Sequence, residues 1–182
     1  MNDVPDAIAV RSGLPADSET CVAVWVASCA ARDGRALPGV AERARPKFDK
    51  KCGLVVAERR DSSLAGFALA TTPGTGIPTD PADAAVLALL AVDSHQQGAG
   101  LGRWLLSAIT ESLTDSGFEQ IVLHALADNH VAVRLYESAG WVSYGPTFEH
   151  ALLKRPMQTY RHLLPQNTIE LTDPDRPTQP AR

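Results

Sequence analysis

Val86-Leu87-Ala88-Leu89-Leu90-Ala91-Val92, then Gln97-Gly98-Ala99-Gly100-Leu101-Gly102, then Leu101, Trp104, Leu105, Ala108, Ile109 and Leu113 at helical spacing form one continuous signal in a chain of 182 residues. The first run is apolar throughout and of strand length, the pattern of a strand covered on both faces. The last set traces one face of an amphipathic helix, and Gly117 stands where a left-handed cap would end it. Three glycines in five positions therefore fall at a strand-to-helix turn.

The first amide groups of a helix have no partner inside it, and the aligned peptide dipoles add a partial positive charge. An anion can bind there without Lys or Arg, and glycine lets it approach the backbone closely. The expected guest is a phosphate diester or a diphosphate. A dinucleotide fingerprint is excluded by spacing, because counting from Gly98 and Gly100 its third glycine would fall on Arg103. A Walker loop is excluded by the lack of Gly-Lys-Ser/Thr.

The hexad resembles the acyl-CoA loop of the GNAT N-acyltransferase superfamily, Gln/Arg-x-x-Gly-x-Gly/Ala, with Gln97, Gly100 and Gly102 in the specified positions. A second block, Asn129-His-Val-Ala-Val-Arg-Leu-Tyr-Glu-Ser-Ala-Gly140 followed by Trp141, resembles the superfamily's Asn-x-x-Ala-x-x-Leu-Tyr-x-x-x-Gly-Phe. Together the two cover residues 86–145, about a third of the chain.

The resemblance implies an α/β (mixed α+β) fold: a central, mostly antiparallel twisted sheet splayed between its fourth and fifth strands, with helices on both faces. The slot would lie between Leu87–Val92 and Gln120–Leu126 and take the pantetheine arm of acetyl-CoA, the acyl donor, with no metal. Gln97, Gly98, Ala99, Gly100, Leu101 and Gly102 would hold the diphosphate. Leu90 would offer an oxyanion-stabilising amide, with Ala91 and Val92 completing main-chain pairing to the donor. Asn129 is a helix cap by its chemistry and a cofactor contact by the resemblance. Arg103 either reaches the diphosphate or faces solvent.

Acyl transfer from a thioester to an amine needs a deprotonated amine, a stabilised oxyanion and a proton for the departing thiolate. Tyr136 matches the family tyrosine and is the candidate acid. The competing reading is a core aromatic on the apolar face it shares with Ala132, Leu135 and Ala139. The fourth-strand position where some members carry Glu corresponds roughly to Val86, which accepts no proton. His124, twelve residues before Tyr136 where amino-terminal acetylating members have Glu, is the alternative base. Its apolar strand neighbours Val122 and Leu126 equally suit a satisfied core histidine. The reaction implied is acetyl transfer to a primary amine of a small molecule or peptide, by direct attack in a ternary complex. An acyl-CoA-binding module without turnover is the other reading. Homodimers are frequent among members, but no edge here points to the pairing.

Composition agrees with a single domain. Apolar residues make up 45% and charged residues 21%, ordinary for a globular protein. No run approaches the roughly 18 apolar residues of a membrane span, and the N-terminus, with Asp3, Pro5 and Asp6, is unlike a secretion signal. A cytoplasmic protein with no membrane partner is expected. The net charge of −4 argues against a nucleic-acid partner. Nine basic residues against four acidic ones lie between Arg32 and Arg60, a solvated face or a guide for an acidic acceptor or the donor's phosphates. Cys21, Cys29 and Cys52 lack metal-ligand spacing and read as small buried hydrophobes.

Along the chain the expected order is a strand (Ala7–Val10), a helix begun by Leu14-Pro15-Ala16-Asp17, and a helix over Val40–Phe48 limited or kinked by Pro46. A hairpin of Leu54–Glu58 and Leu64–Ala70 follows, then a Pro- and Gly-rich loop over Thr71–Ala84. After the central strand and helix come a strand at Gln120–Leu126, a helix at Asn129–Ser138, a strand starting at Trp141–Tyr144 and a last strand at Ala151–Arg155. The domain is expected over residues 1–164, and 165–182 as a polar, proline-rich flexible tail that adds nothing to catalysis.

Overall fold

The structure, a computed structural model, describes residues 8–165. The tail expected over 165–182 lies outside them apart from Pro165. The elements are β1 (Ile8–Ser12), α1 (Ser18–Asp33), α2 (Val40–Asp49), β2 (Lys51–Arg59), β3 (Leu64–Thr71), β4 (Ala85–Val92), α3 (Leu101–Asp115), β5 (Gln120–Leu126), α4 (His130–Ser138), β6 (Val142–Glu149) and β7 (Pro156–Leu163). A 3₁₀ turn at Pro15–Asp17, with Pro at its first position, leads into α1. The order of strands and helices is the one read from the sequence.

One sheet of seven strands runs β1-β2-β3-β4-β5-β7-β6. All neighbours are antiparallel except β4 and β5, which are parallel. That parallel pairing covers only Ala85↔Ile121, Val86↔Val122 and Leu87↔Leu123. Beyond it Leu89–Val92 and His124–Leu126 have no register partners across the gap, so the sheet opens there. The parallel step requires a crossover, which α3 provides, while β3 and β4 are joined by the irregular loop 72–84.

The core has two layers. On one face Leu101, Leu105, Ile109 and Leu113 of α3 and Tyr136 of α4 pack against Leu87, Ile121, Leu123 and Tyr160. On the other, Cys21 and Val22 of α1 and Ala44 and Phe48 of α2 cover Val56, Phe67, Leu69, Leu89 and Ala91. β4 changes faces part-way. Leu69 pairs with Leu89 and Ala70 with Leu87, so Ala88 is an extra, bulged residue. Before it, Ala85 and Leu87 face α3, whereas after it Leu90 and Val92 do so, and Leu89 and Ala91 turn to α1 and α2. A seven-residue apolar run hides such a reversal.

Two expectations need correction. Ala151–Arg155 is not the last strand but part of the turn between β6 and β7, where His150 N donates to Arg155 O and Lys154 N to His150 O. The Ala-Leu-Leu run there is apolar, but the buried positions are Met157, Thr159 and Tyr160 of β7. Pro46 does not limit α2, which continues to Asp49. Gly117 ends α3 as expected, at φ +83°, with Gly117 N donating to Thr114 O and Phe118 N to Leu113 O, a Schellman cap.

Candidate active site

The floor of the site is the turn from β4 into α3. Asp93 fixes its start: Oδ1 accepts from His95 N at 3.0 Å, Oδ2 accepts from Arg59 Nη2 at 2.7 Å, and Asp93 N donates to Ala65 O at 2.8 Å. From Gln97 to Gly102 no backbone N–H has a partner among the described residues, and the first bonds of α3 are from Arg103 N and Trp104 N to Gly100 O. Gly98 and Gly100 take φ of +86° and +81°, with open space where a Cβ would stand. Gln97 to Gly100 are exposed, Leu101 is buried in the core, and Gly102 backs onto Leu135, whose Cδ2 would lie 3.3 Å from an added Cβ. Six free amides, two left-handed glycines and a 15-residue helix behind them fit a diphosphate.

Strand geometry decides what β4 offers to the gap. A residue's N–H and C=O point to the same side, and successive residues alternate. Asp93 N bonds β3, so Ala91 also faces β3, where Phe67 is its partner. Val92 and Leu90 therefore turn their main-chain groups to the gap, and Gln97 Nε2 reaches Val92 O at 3.4 Å. Ala91, grouped with them on sequence grounds, has its backbone committed to β3 and its side chain in the α1/α2 core.

Tyr136 lies on the α3 side of the gap. It is 8% exposed, with the rings of Trp141 and Tyr160 each 6.1 Å away between centroids. Burial raises its hydroxyl to about 12, so the phenol holds its proton at neutral pH. Asn129 caps α4, its Oδ1 accepting from Ala132 N at 3.4 Å. Arg103 is committed: Nη2 donates to Ser138 Oγ at 2.5 Å and Nη1 to Ser138 O at 3.3 Å, tying α3 to the end of α4.

His124 lies on the opposite face, one residue beyond the last β4–β5 pair. Its surroundings are not apolar, as its strand neighbours suggested. Nε2 is 3.1 Å from Asp80 Oδ2, Nδ1 is 3.0 Å from Thr159 Oγ1, and Phe148 meets the ring edge-on at 5.5 Å. The imidazole is 14% exposed and Asp80 8%. Burial lowers the His124 pKa, the Asp80 carboxylate opposes that, and the Lys47 ammonium on α2 reinforces it. The net direction keeps the ring neutral near pH 7. Asp80 and Thr159 were not found from sequence, because one sits in an aperiodic loop and the other on the strand that was misplaced.

The cysteines stand apart from this chemistry. Cys21 and Cys29 are buried under α1, and burial raises Cys21 to about 12 and Cys52 to about 11. Val86 is buried with Ala84 and Val122. A groove of about 650 Å³ along α3, lined by Leu106, Thr110, Trp141 and His162, shares only Arg103 with the candidate residues and lies away from the gap. No described helix is long and apolar enough to cross a membrane.

Comparison with known proteins agrees with this fold. Solved structures with the same fold include the ribosomal-protein-S18-alanine N-acetyltransferase from Escherichia coli (TM-score 0.68, 19% identity, 90% of this chain and 98% of that one). Another is yncA from Salmonella typhimurium with its cofactor acetyl-CoA (TM-score 0.65, 18% identity, 90% and 97%). At these identities the likeness is one of fold. Among curated proteins, a mycothiol acetyltransferase from Thermomonospora curvata is 33% identical over 153 residues, 78% of this chain and 46% of that protein. One from Kocuria rhizophila is 39% identical over 89 residues, 48% and 28%. The chain spans less than half the length of these curated relatives. Residues 25–141, which carry both the free-amide turn and the tyrosine of α4, match the model of the acetyltransferase (GNAT) family, and to that family the chain belongs.

Proposed function

We propose that this domain moves an acetyl group from acetyl-CoA to a primary amine by direct attack in a ternary complex. The observation that carries the reading is the row of unpartnered amides from Gln97 to Gly102 at the mouth of a sheet that opens between β4 and β5. Acetyl-CoA, as co-substrate, supplies the thioester carbonyl that the amine attacks. The Gln97–Gly102 amides would grip its diphosphate and the Leu90 and Val92 main chain its amide arm, with Leu90 N–H available to the oxyanion. His124, neutral at physiological pH, takes the proton that the acceptor ammonium must lose. Tyr136 keeps its proton and offers it to the leaving thiolate. Asn129 orders the start of α4, and Arg103 its end. The relatives' name, mycothiol acetyltransferase, favours a small-molecule acceptor over a peptide.

A non-catalytic acyl-CoA-binding module is the second reading, and one observation favours it: both ring nitrogens of His124 are already engaged. A thermal-shift titration with CoA followed by a thiol-release assay against an amine panel separates the two. Transfer predicts stabilisation by CoA, amine-dependent thiol release and no acetyl label left on the denatured protein. Stabilisation without release would establish the binding module, and no stabilisation at millimolar CoA would end both.

A further inference from the structure

The engagement of both nitrogens of His124 is the most specific polar arrangement on the acceptor side of the gap. We propose that Asp80 is a positioning residue that fixes the tautomer of His124, leaving Nδ1 as its basic nitrogen, with the Thr159 hydroxyl as the group through which the proton arrives. The proposal rests on the reading of His124 as the base, and it follows from hydrogen-bond inventory. A carboxylate only accepts, so Nε2 carries the hydrogen shared with Asp80 Oδ2 at 3.1 Å. A neutral ring then has its lone pair on Nδ1, and the contact to Thr159 Oγ1 at 3.0 Å is a bond donated by the hydroxyl.

The loop is built to deliver that carboxylate. Asp80 N donates to Ile77 O at 3.0 Å, and Ile77 N donates to Asp80 Oδ2 at 2.9 Å, closing a tight turn. A Cβ on Gly76 would stand 1.9 Å from Asp80 Oδ2 and 3.2 Å from His124 Nε2, so only glycine leaves room for the pair. Asp80 Oδ1 is buried with no partner among the described residues. A turn of this kind would be equally closed with the carboxylate facing water. Enclosing it against an imidazole leaves an unmet acceptor, which is accounted for if the carboxylate's task is to stabilise a positive ring.

The proton balance is complete without any further reactant. The acceptor's N–H bond breaks as its proton passes to Thr159 Oγ1, whose own hydroxyl proton moves to Nδ1. The amine keeps the electron pair, and the ring becomes an imidazolium held by Asp80. The charged groups facing the ring are Asp80 from the loop, which favours that cation, and Lys47 from α2, which opposes it.

The test is Asp80→Asn in the full chain, read in two ways. Imidazole ¹⁵N NMR of the ligand-free protein should show His124 in the Nε2–H tautomer, and the variant should move its pKa downward. In steady-state kinetics, turnover near pH 7 should fall about 10²-fold, within the range a positioned base contributes, with KM for acetyl-CoA unchanged. The acid limb of the pH profile should move to lower pH. In a His124→Gln background the same change should cost nothing further, because Asp80 acts through the ring. Gly76→Ala, which pushes the carboxylate aside and leaves both residues present, should reproduce the effect if Asp80→Asn fails to fold. An Nδ1–H tautomer in the wild type, or losses that add in full across the double variant, would overturn the assignment. A wild type that releases no thiol would instead overturn the transfer reading, and the NMR comparison would still decide the role of Asp80.

Discussion

Replacing Tyr136 by Phe isolates one hydroxyl. Both ring neighbours, Trp141 and Tyr160, lie 6.1 Å from the Tyr136 centroid, and the phenylalanine ring keeps those contacts. The hydroxyl has no hydrogen-bond partner among the described residues, so the stability change should be small, below the roughly 1 kcal/mol of a lost hydrogen bond. The kinetic cost follows from acidity. The buried phenol sits at about 12, against about 8.5 for a free thiol. Complete proton transfer to the thiolate would be uphill by about 5 kcal/mol at 1.36 kcal/mol for each tenfold. The phenol therefore acts chiefly by donating a charge-assisted hydrogen bond as the C–S bond breaks, a contribution of about 1.5–3 kcal/mol. That predicts a fall in kcat of about 10- to 150-fold, with CoA binding unchanged. The assay is thiol release at saturating acceptor, with a thermal-shift titration of CoA as control. Turnover equal to wild type, with the variant folded, would remove Tyr136 from the mechanism and leave it a core aromatic.

Three further outcomes follow from the same geometry. Gly100→Ala places an L-residue at φ +81°, a strain of about 1–2 kcal/mol; the free turn should relax out of that conformation and have to recover it to bind, so calorimetry should show CoA affinity reduced by up to about 5- to 30-fold. The lowered pKa of His124 means that the unfolded chain binds the proton more readily. Stability should thus be full above about pH 6.5 and decline as pH drops through that value, levelling once the folded ring also protonates. Denaturant midpoints of wild type and His124→Gln between pH 7 and 5 check this, and parallel curves would refute it. Truncation after Pro165 should leave thiol release unchanged, since the domain is proposed to end at residue 164.

Much of this architecture is legible in the sequence because it is written in local periodicity. β5 occupies Gln120–Leu126 as read, and α3 begins at the end of its glycine turn. The signals that failed are those in which distant residues decide. The Ala88 bulge depends on how β4 meets β3, and it alone determines that Leu90 rather than Leu89 faces α3. β7 opens with Pro156, which has no amide to donate, and carries polar Gln158 between its buried positions and Arg161 just after them, so a more apolar run beside it drew the assignment. Asp80 is the clearest instance: nothing in Thr72–Ala84 has a period, and the carboxylate meets its partner only in a histidine 44 residues away.

Because Tyr136 packs with Leu123 and Ala125 and His124 between them points the other way along β5, the proposed base and the proposed acid stand on opposite sides of a single sheet. The proposed grip on the donor belongs to the β4–α3 turn and α4, whereas Asp80, Lys47 and their neighbours line the far side. On that proposal, mutation can remodel what the domain acetylates, through α1, α2 and one irregular loop, while the proposed coenzyme berth stays as it is. On the proposed reading, a lineage could diversify its acceptors and inherit its carrier unchanged.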